Sequence, residues 1–164
     1  EKAKHNKSFK LHDKTTTKDY QYTMIIGFQP ITPHALNARS ENTLAAWLDI
    51  QFTDIGDDTL TATMPATART KQPLGIVHGG ANVVLTETIA STAANAAVDQ
   101  SLYYCVGLEI NANHLRPVRE GLITGTTKPI HIGRTTQVWL IELFNEAGKI
   151  TCVSRMTASV LKRT

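Results

Sequence analysis

The chain lacks the marks of several large functional classes. Two cysteines in 164 residues, Cys105 and Cys152, exclude a disulfide scaffold. Both sit in apolar, strand-like runs and are expected to be buried free thiols of a cytoplasmic protein. The six histidines, at 5, 12, 34, 78, 114 and 131, show no ligand spacing to cysteine or carboxylate, so no metal is expected. G-x-S-x-G, P-loop and dinucleotide fingerprints are absent, and no cofactor is expected. No apolar run approaches the roughly 20 residues of a membrane span, and residues 1–23 carry no secretory h-region. A basic folded face is missing too. The formal charge is +3, but residues 1–23 hold six lysines against three acids, which leaves eleven basic and eleven acidic residues in 24–164. A neutral body argues against nucleic acid as a partner. Residues 1–23 are expected to be a disordered basic tail or leader, with Met24 as the natural start and 24–164 as one domain.

Charge is scarcest between Gly79 and Val98, where Glu87 is the only charged residue. At helical period, Ala81, Leu85, Ile89, Thr92 and Ala96 form one stripe, and Val83, Ala90 and Ala94 form another nearly opposite. A helix apolar on both sides is a buried helix. A carboxylate buried there is costly unless it has a structural partner or performs chemistry. Six alanines (81, 90, 93, 94, 96, 97) give this helix a narrow profile suited to close packing on a sheet.

Around it the pattern is largely extended. Thr32-Pro33 reads as an N-cap and first helical position for a short helix to about Glu41. Leu48, Ile50 and Phe52 alternate with polar residues as a half-buried strand, and Thr59–Met64 returns after a turn at Gly56-Asp57-Asp58. Pro73 and Gly75 break the chain before the long helix, which is expected to end near Asp99. Strands follow at Val106–Leu115, Leu122–His131, Thr135–Phe144 and Ile150–Leu161. The order predicts an α+β domain: a six-stranded antiparallel sheet wrapped around one long central helix.

Gln72 and His78-Gly79-Gly80 stand at the start of that helix. A glycine pair there leaves unpaired N–H groups at the positive end of the helix dipole, a place that suits a developing oxyanion. Taken alone, His-Gly-Gly is a weak signal and better suits a glycine-opened helix beside a core histidine. Together with Glu87 and Ser91, these residues resemble the hotdog-fold acyl-CoA thioesterases. The resembling branch is the Glu-dependent one of 4-hydroxybenzoyl-CoA thioesterases, phenylacetate-pathway thioesterases and the 1,4-dihydroxy-2-naphthoyl-CoA hydrolases of menaquinone synthesis, and the last give the nearest pattern. The likeness runs from about Thr32 to Leu161. It passes through the segments Asp54–Leu60, Arg69–Pro73, Val106–His114 and Lys128-Pro129.

The resemblance implies roles. Glu87 would be nucleophile or general base toward a thioester carbonyl. The Gly79 N–H would polarise that carbonyl with help from His78, Gln72 would position substrate or water, and Ser91 would hydrogen-bond within the site. Val106, Asn113, His114, Leu115, Arg116, His131, Gly133, Arg134 and Thr135 would hold the CoA portion. The Gly133-Arg134 step reads as a backbone anion cradle. Gly79 and Glu87 are eight residues, or about 12 Å, apart on one straight helix. Both must lie within roughly 3 Å of one reacting carbonyl. Two antiparallel helices from two copies can achieve this, so a homo-oligomer with sites at the dimer interface is expected, commonly a tetramer in this family. Val83, Ala90 and Ala94 would leave a slot beside Glu87 for a flat or slender acyl group. The alternatives are a broad aryl and medium-chain thioesterase, a hotdog dehydratase, or an acyl-CoA-binding module.

Overall fold

A computed structural model describes residues 26–28 and 30–164 of the chain, so the expected tail at 1–23 and the start at Met24 lie outside the described residues. Thr32 caps α1 (Pro33–Arg39), its hydroxyl accepting from the Ala35 N–H at 3.1 Å, with Pro33 opening the helix. A four-residue helix, α2 (Leu44–Trp47), was not expected, because one turn is too short to display a period. Leu48, Ile50 and Phe52 are all buried as the alternation required, but Asp49 takes φ 54° and breaks the backbone there. Strand β1 therefore begins only at Gln51 (Gln51–Ile55) and pairs with β2 (Leu60–Pro65).

Helix α3 (Gly79–Ala96) is followed by β3 (Tyr103–His114), β4 (Leu122–Ile132), β5 (Thr136–Phe144) and β6 (Ile150–Lys162). The sheet runs β1-β2-β4-β5-β6-β3, antiparallel throughout, and α3 crosses one face of it. This is the predicted hotdog arrangement.

The sheet-facing side of α3 carries Leu85, Ile89, Ala90, Ala93 and Ala94, all fully buried in one core with Ile123, Trp139, Ile141, Leu143 and Met156. Burial of each leucine or isoleucine contributes about 1.5–3 kcal/mol. Small residues set the spacing: a Cβ at Gly125 of β4 would meet Ile89 and Leu143 methyls at 2.7 Å. The Trp139 indole N–H donates to Gln137 Oε1 at 2.9 Å, so the core indole carries no unmet donor. Both cysteines are buried and free, and burial pushes the Cys105 thiol up to about 11, keeping it protonated at neutral pH.

The other side of α3 is different. Val83, Val84, Glu87, Thr88, Ser91, Thr92 and Asn95 are half-buried, and none of the described residues covers them fully. No residue from Ala81 to Ala97 is fully exposed, so the helix is buried as expected, but the described residues seal only its sheet side. Ala90 and Ala94 belong to that sealed side, which corrects the slot expected beside them: a larger residue there would overpack the core rather than narrow a pocket. Strand β3 forms one edge of the sheet, twelve residues long, and exposes Val106 and Leu108.

Candidate active site

The segment before α3 folds back on itself. Thr70 accepts from the His78 N–H at 2.8 Å, Lys71 bridges Val77, and Gln72 accepts from Gly75 and donates to Ile76, each at 2.9 Å. This small hairpin places Gln72 and His78 at the same mouth, and the Gln72 side chain has no hydrogen-bond partner among the described residues. His78 is the helix N-cap. Its Nδ1 accepts from the Gly80 N–H at 2.8 Å, so a neutral ring carries its proton on Nε2, as a donor. The Gly79 N–H has no partner among the described residues.

What presses on Gly79 was not expected from sequence. A Cβ there would lie 2.8 Å from Nε2 of His114, at the far end of β3. His114 Nδ1 is 3.4 Å from Asn82 Nδ2, and Asn82 is only 6% exposed with its Oδ1 lacking any partner. Asn82 was missed by the sequence reading. The available signal was an amide one turn ahead of Leu85 and Thr86, on the buried stripe.

Glu87 sits two turns along. Its Oε1 accepts from the Ser91 hydroxyl at 2.9 Å, joining the two residues as expected. The carboxylate lies directly on Gly107 of β3: a Cβ at 107 would collide with Oε1 and stand 3.4 Å from the carboxyl carbon. A glycine inside a strand pattern marks such a close approach, so Gly107 was legible as a site residue and was overlooked.

The register divides the remaining expected residues. His114 pairs with Cys152, so Asn113, His114, Leu115 and Arg116 lie at the end of the sheet near the start of α3. There Arg116 donates to the Ile150 carbonyl at 2.6 Å. Val106 and Thr136 both pair with Ser159, so Val106 shares the opposite end with His131, Gly133, Arg134 and Thr135. Along β6 the two ends are about 20 Å apart, at roughly 3.3 Å per residue. The expected basic residues therefore do not form one cluster within a single copy. Gly133 is not an open anion cradle either. Its N–H closes the β4–β5 turn on the Thr136 carbonyl at 2.9 Å, and the His131 ring lies over it. The candidate residues thus fall into two groups: His78, Gly79, Asn82 and His114 in one, Glu87, Ser91, Val106 and Gly107 in the other. Among the described residues no three of His, Cys, Asp or Glu form a metal-binding group, and no helix is long and apolar enough to cross a membrane.

A conserved-family model of the thioesterase superfamily matches residues 74–152, a span that includes His78, Gly79, Glu87, Gly107 and His114. The chain is 53% identical over 131 residues to the 1,4-dihydroxy-2-naphthoyl-CoA hydrolase of Escherichia coli, covering 80% of this chain and 96% of that one. Among solved structures, a mutant of thioesterase PA1618 from Pseudomonas aeruginosa superposes with TM-score 0.83 at 45% identity, over 85% of this chain and 99% of that one. Thioesterase HI1161 from Haemophilus influenzae gives TM-score 0.82 at 43% identity, over 85% and 96%. The chain belongs to the thioesterase superfamily.

Proposed function

We propose that the protein hydrolyses the thioester of an aromatic acyl-CoA in the cytoplasm, with 1,4-dihydroxy-2-naphthoyl-CoA, the substrate in the E. coli relative's name, as the first candidate and menaquinone synthesis as its setting. The observation that carries this reading is the seat of Glu87: the one carboxylate of α3, bonded to Ser91 and lying against a glycine whose missing side chain makes room for it. Water adds to the thioester carbonyl, the C–S bond breaks, and the products are the free acid and CoA thiol. Glu87 either takes the water's proton or attacks the carbonyl itself. The unpartnered Gly79 N–H and the Nε2–H of His78 would receive the developing oxyanion, and Gln72 would orient substrate or water. A poised carboxylate disfavours the acyl-CoA-binding module.

The two halves of this site meet only if a second copy supplies one of them. The half-covered face of α3 and the long exposed edge β3 support a homodimer formed by pairing β3 edges. That would lay the two α3 helices antiparallel, bringing Gly79 of one toward Glu87 of the other. Mixing Glu87→Gln with Gly79→Ala, each inactive alone, then restores one intact site per hybrid dimer. Activity should recover to about a quarter of wild type after full exchange. No recovery above the sum of the parents would mean that each copy works by itself.

Free-thiol release from benzoyl-CoA and hexanoyl-CoA tests the substrate reading. Both are expected to be hydrolysed, with higher kcat/KM for aryl thioesters, since apolar pockets separate such groups by only about 1–3 kcal/mol. If hexanoyl-CoA beats every aryl thioester tested, the menaquinone reading gives way to a general acyl-CoA thioesterase.

A further inference from the structure

A cleft opens beside α3 one turn beyond Glu87, walled on its apolar side by Leu36 and Phe52. It begins at Ser91, the residue bonded to Glu87, and runs to Asn95, about 6 and 12 Å along the helix from the carboxylate. An aryl acyl group attached at the reacting carbonyl would extend into it.

The polar lining of this cleft is almost entirely spent. Ser91 donates to Glu87, Thr92 to the Thr88 carbonyl, and Ser40 to the Leu36 carbonyl. Asn95 donates to the carbonyls of Ser91 and Cys105, and Gln100 to that of Asn95. Arg39 is the exception. It lines the same cleft, and the ion pair found among the described residues is Arg69–Asp49, elsewhere on the surface. Arg39 itself is exposed at the rim, on a helix that is docked: Asn37, two residues earlier on α1, accepts from the Phe52 N–H at 2.8 Å and donates to the Phe52 carbonyl at 3.0 Å. An arginine on a docked helix, at the rim of a cleft whose other donors are mostly committed, is a binding group for an anionic or acidic oxygen.

We propose that Arg39 reads an acidic oxygen, carboxylate or phenol, at the far end of the acyl group, so that aryl thioesters bearing one are preferred over unsubstituted ones. This rests on the acyl-CoA thioesterase reading and adds a specificity-determining residue to it. The test compares benzoyl-CoA, 4-hydroxybenzoyl-CoA and 4-carboxybenzoyl-CoA with the full chain and with Arg39→Met and Arg39→Lys. The wild type should favour the substituted thioesters. In Arg39→Met the ratio of kcat/KM, substituted over plain, should fall about tenfold or more, the scale of one charge-assisted hydrogen bond. Arg39→Lys should keep part of the ratio. The two substituted substrates separate phenol from carboxylate as the preferred oxygen. A ratio indifferent to Arg39→Met, with benzoyl-CoA still hydrolysed, overturns the inference and leaves the thioesterase reading standing. Hydrolysis of none of the three by the wild type overturns both.

Discussion

Glu87→Gln is expected to lower kcat by a factor of about 10² or more, the scale of a positioned acid–base or nucleophilic group, while leaving fold and acyl-CoA binding intact. The substitution keeps the shape of the side chain, so the seat on Gly107 and the contact with Ser91 can persist. It removes the negative charge and the proton-accepting oxygen, on which both proposed roles depend. Thiol release under saturating substrate, with the melting temperature as the check on folding, decides the matter. The Cys105 thiol, buried and held protonated, contributes little background to such an assay. Near-normal turnover would remove Glu87 from the mechanism.

Gly107→Ala should lower kcat by about 10- to 10²-fold, because an added Cβ must displace the Glu87 carboxylate, and a misplacement of about 1 Å at a reacting group costs on that order. The melting temperature should change little, since what gives way is the end of a half-buried side chain rather than core backbone. A merely structural glycine would lose stability instead. The double variant Glu87→Gln/Gly107→Ala separates the two cases: it should be scarcely slower than Glu87→Gln alone, because position no longer matters once the carboxylate is gone. Additive losses would show that Gly107 acts on something other than Glu87.

Local chemistry made much of this protein legible before any coordinates. The α1 cap is written in Thr32-Pro33, the central helix in the uncharged run around Glu87, and the first hairpin in the alternation of Leu48–Phe52 and the turn at Gly56-Asp57-Asp58. Each depends on residues a few positions apart, where backbone sterics and side-chain period dominate. Glu87 itself stood out because a lone carboxylate in an apolar helix is costly wherever that helix packs. The weak points were equally local: α2 was a single turn, and Asp49 with positive φ postponed a strand whose alternation was otherwise real.

Which residues stand beside Glu87 and Gly79 was a matter of tertiary structure alone. Gly107 lies twenty residues beyond Glu87, and His114 lies thirty-five beyond Gly79. Each meets the helix only through the register of β3 on β6 and the diagonal of α3 across the sheet. The same register put Arg116 and Arg134 at opposite ends, although sequence had grouped them, and turned Ala90 and Ala94 into the core rather than a pocket. A side-chain period fixes which face a residue occupies within its own element. It carries no information about how far one element slides along another, and a slip of a single residue in β3 would turn Gly107 to the other face of the sheet.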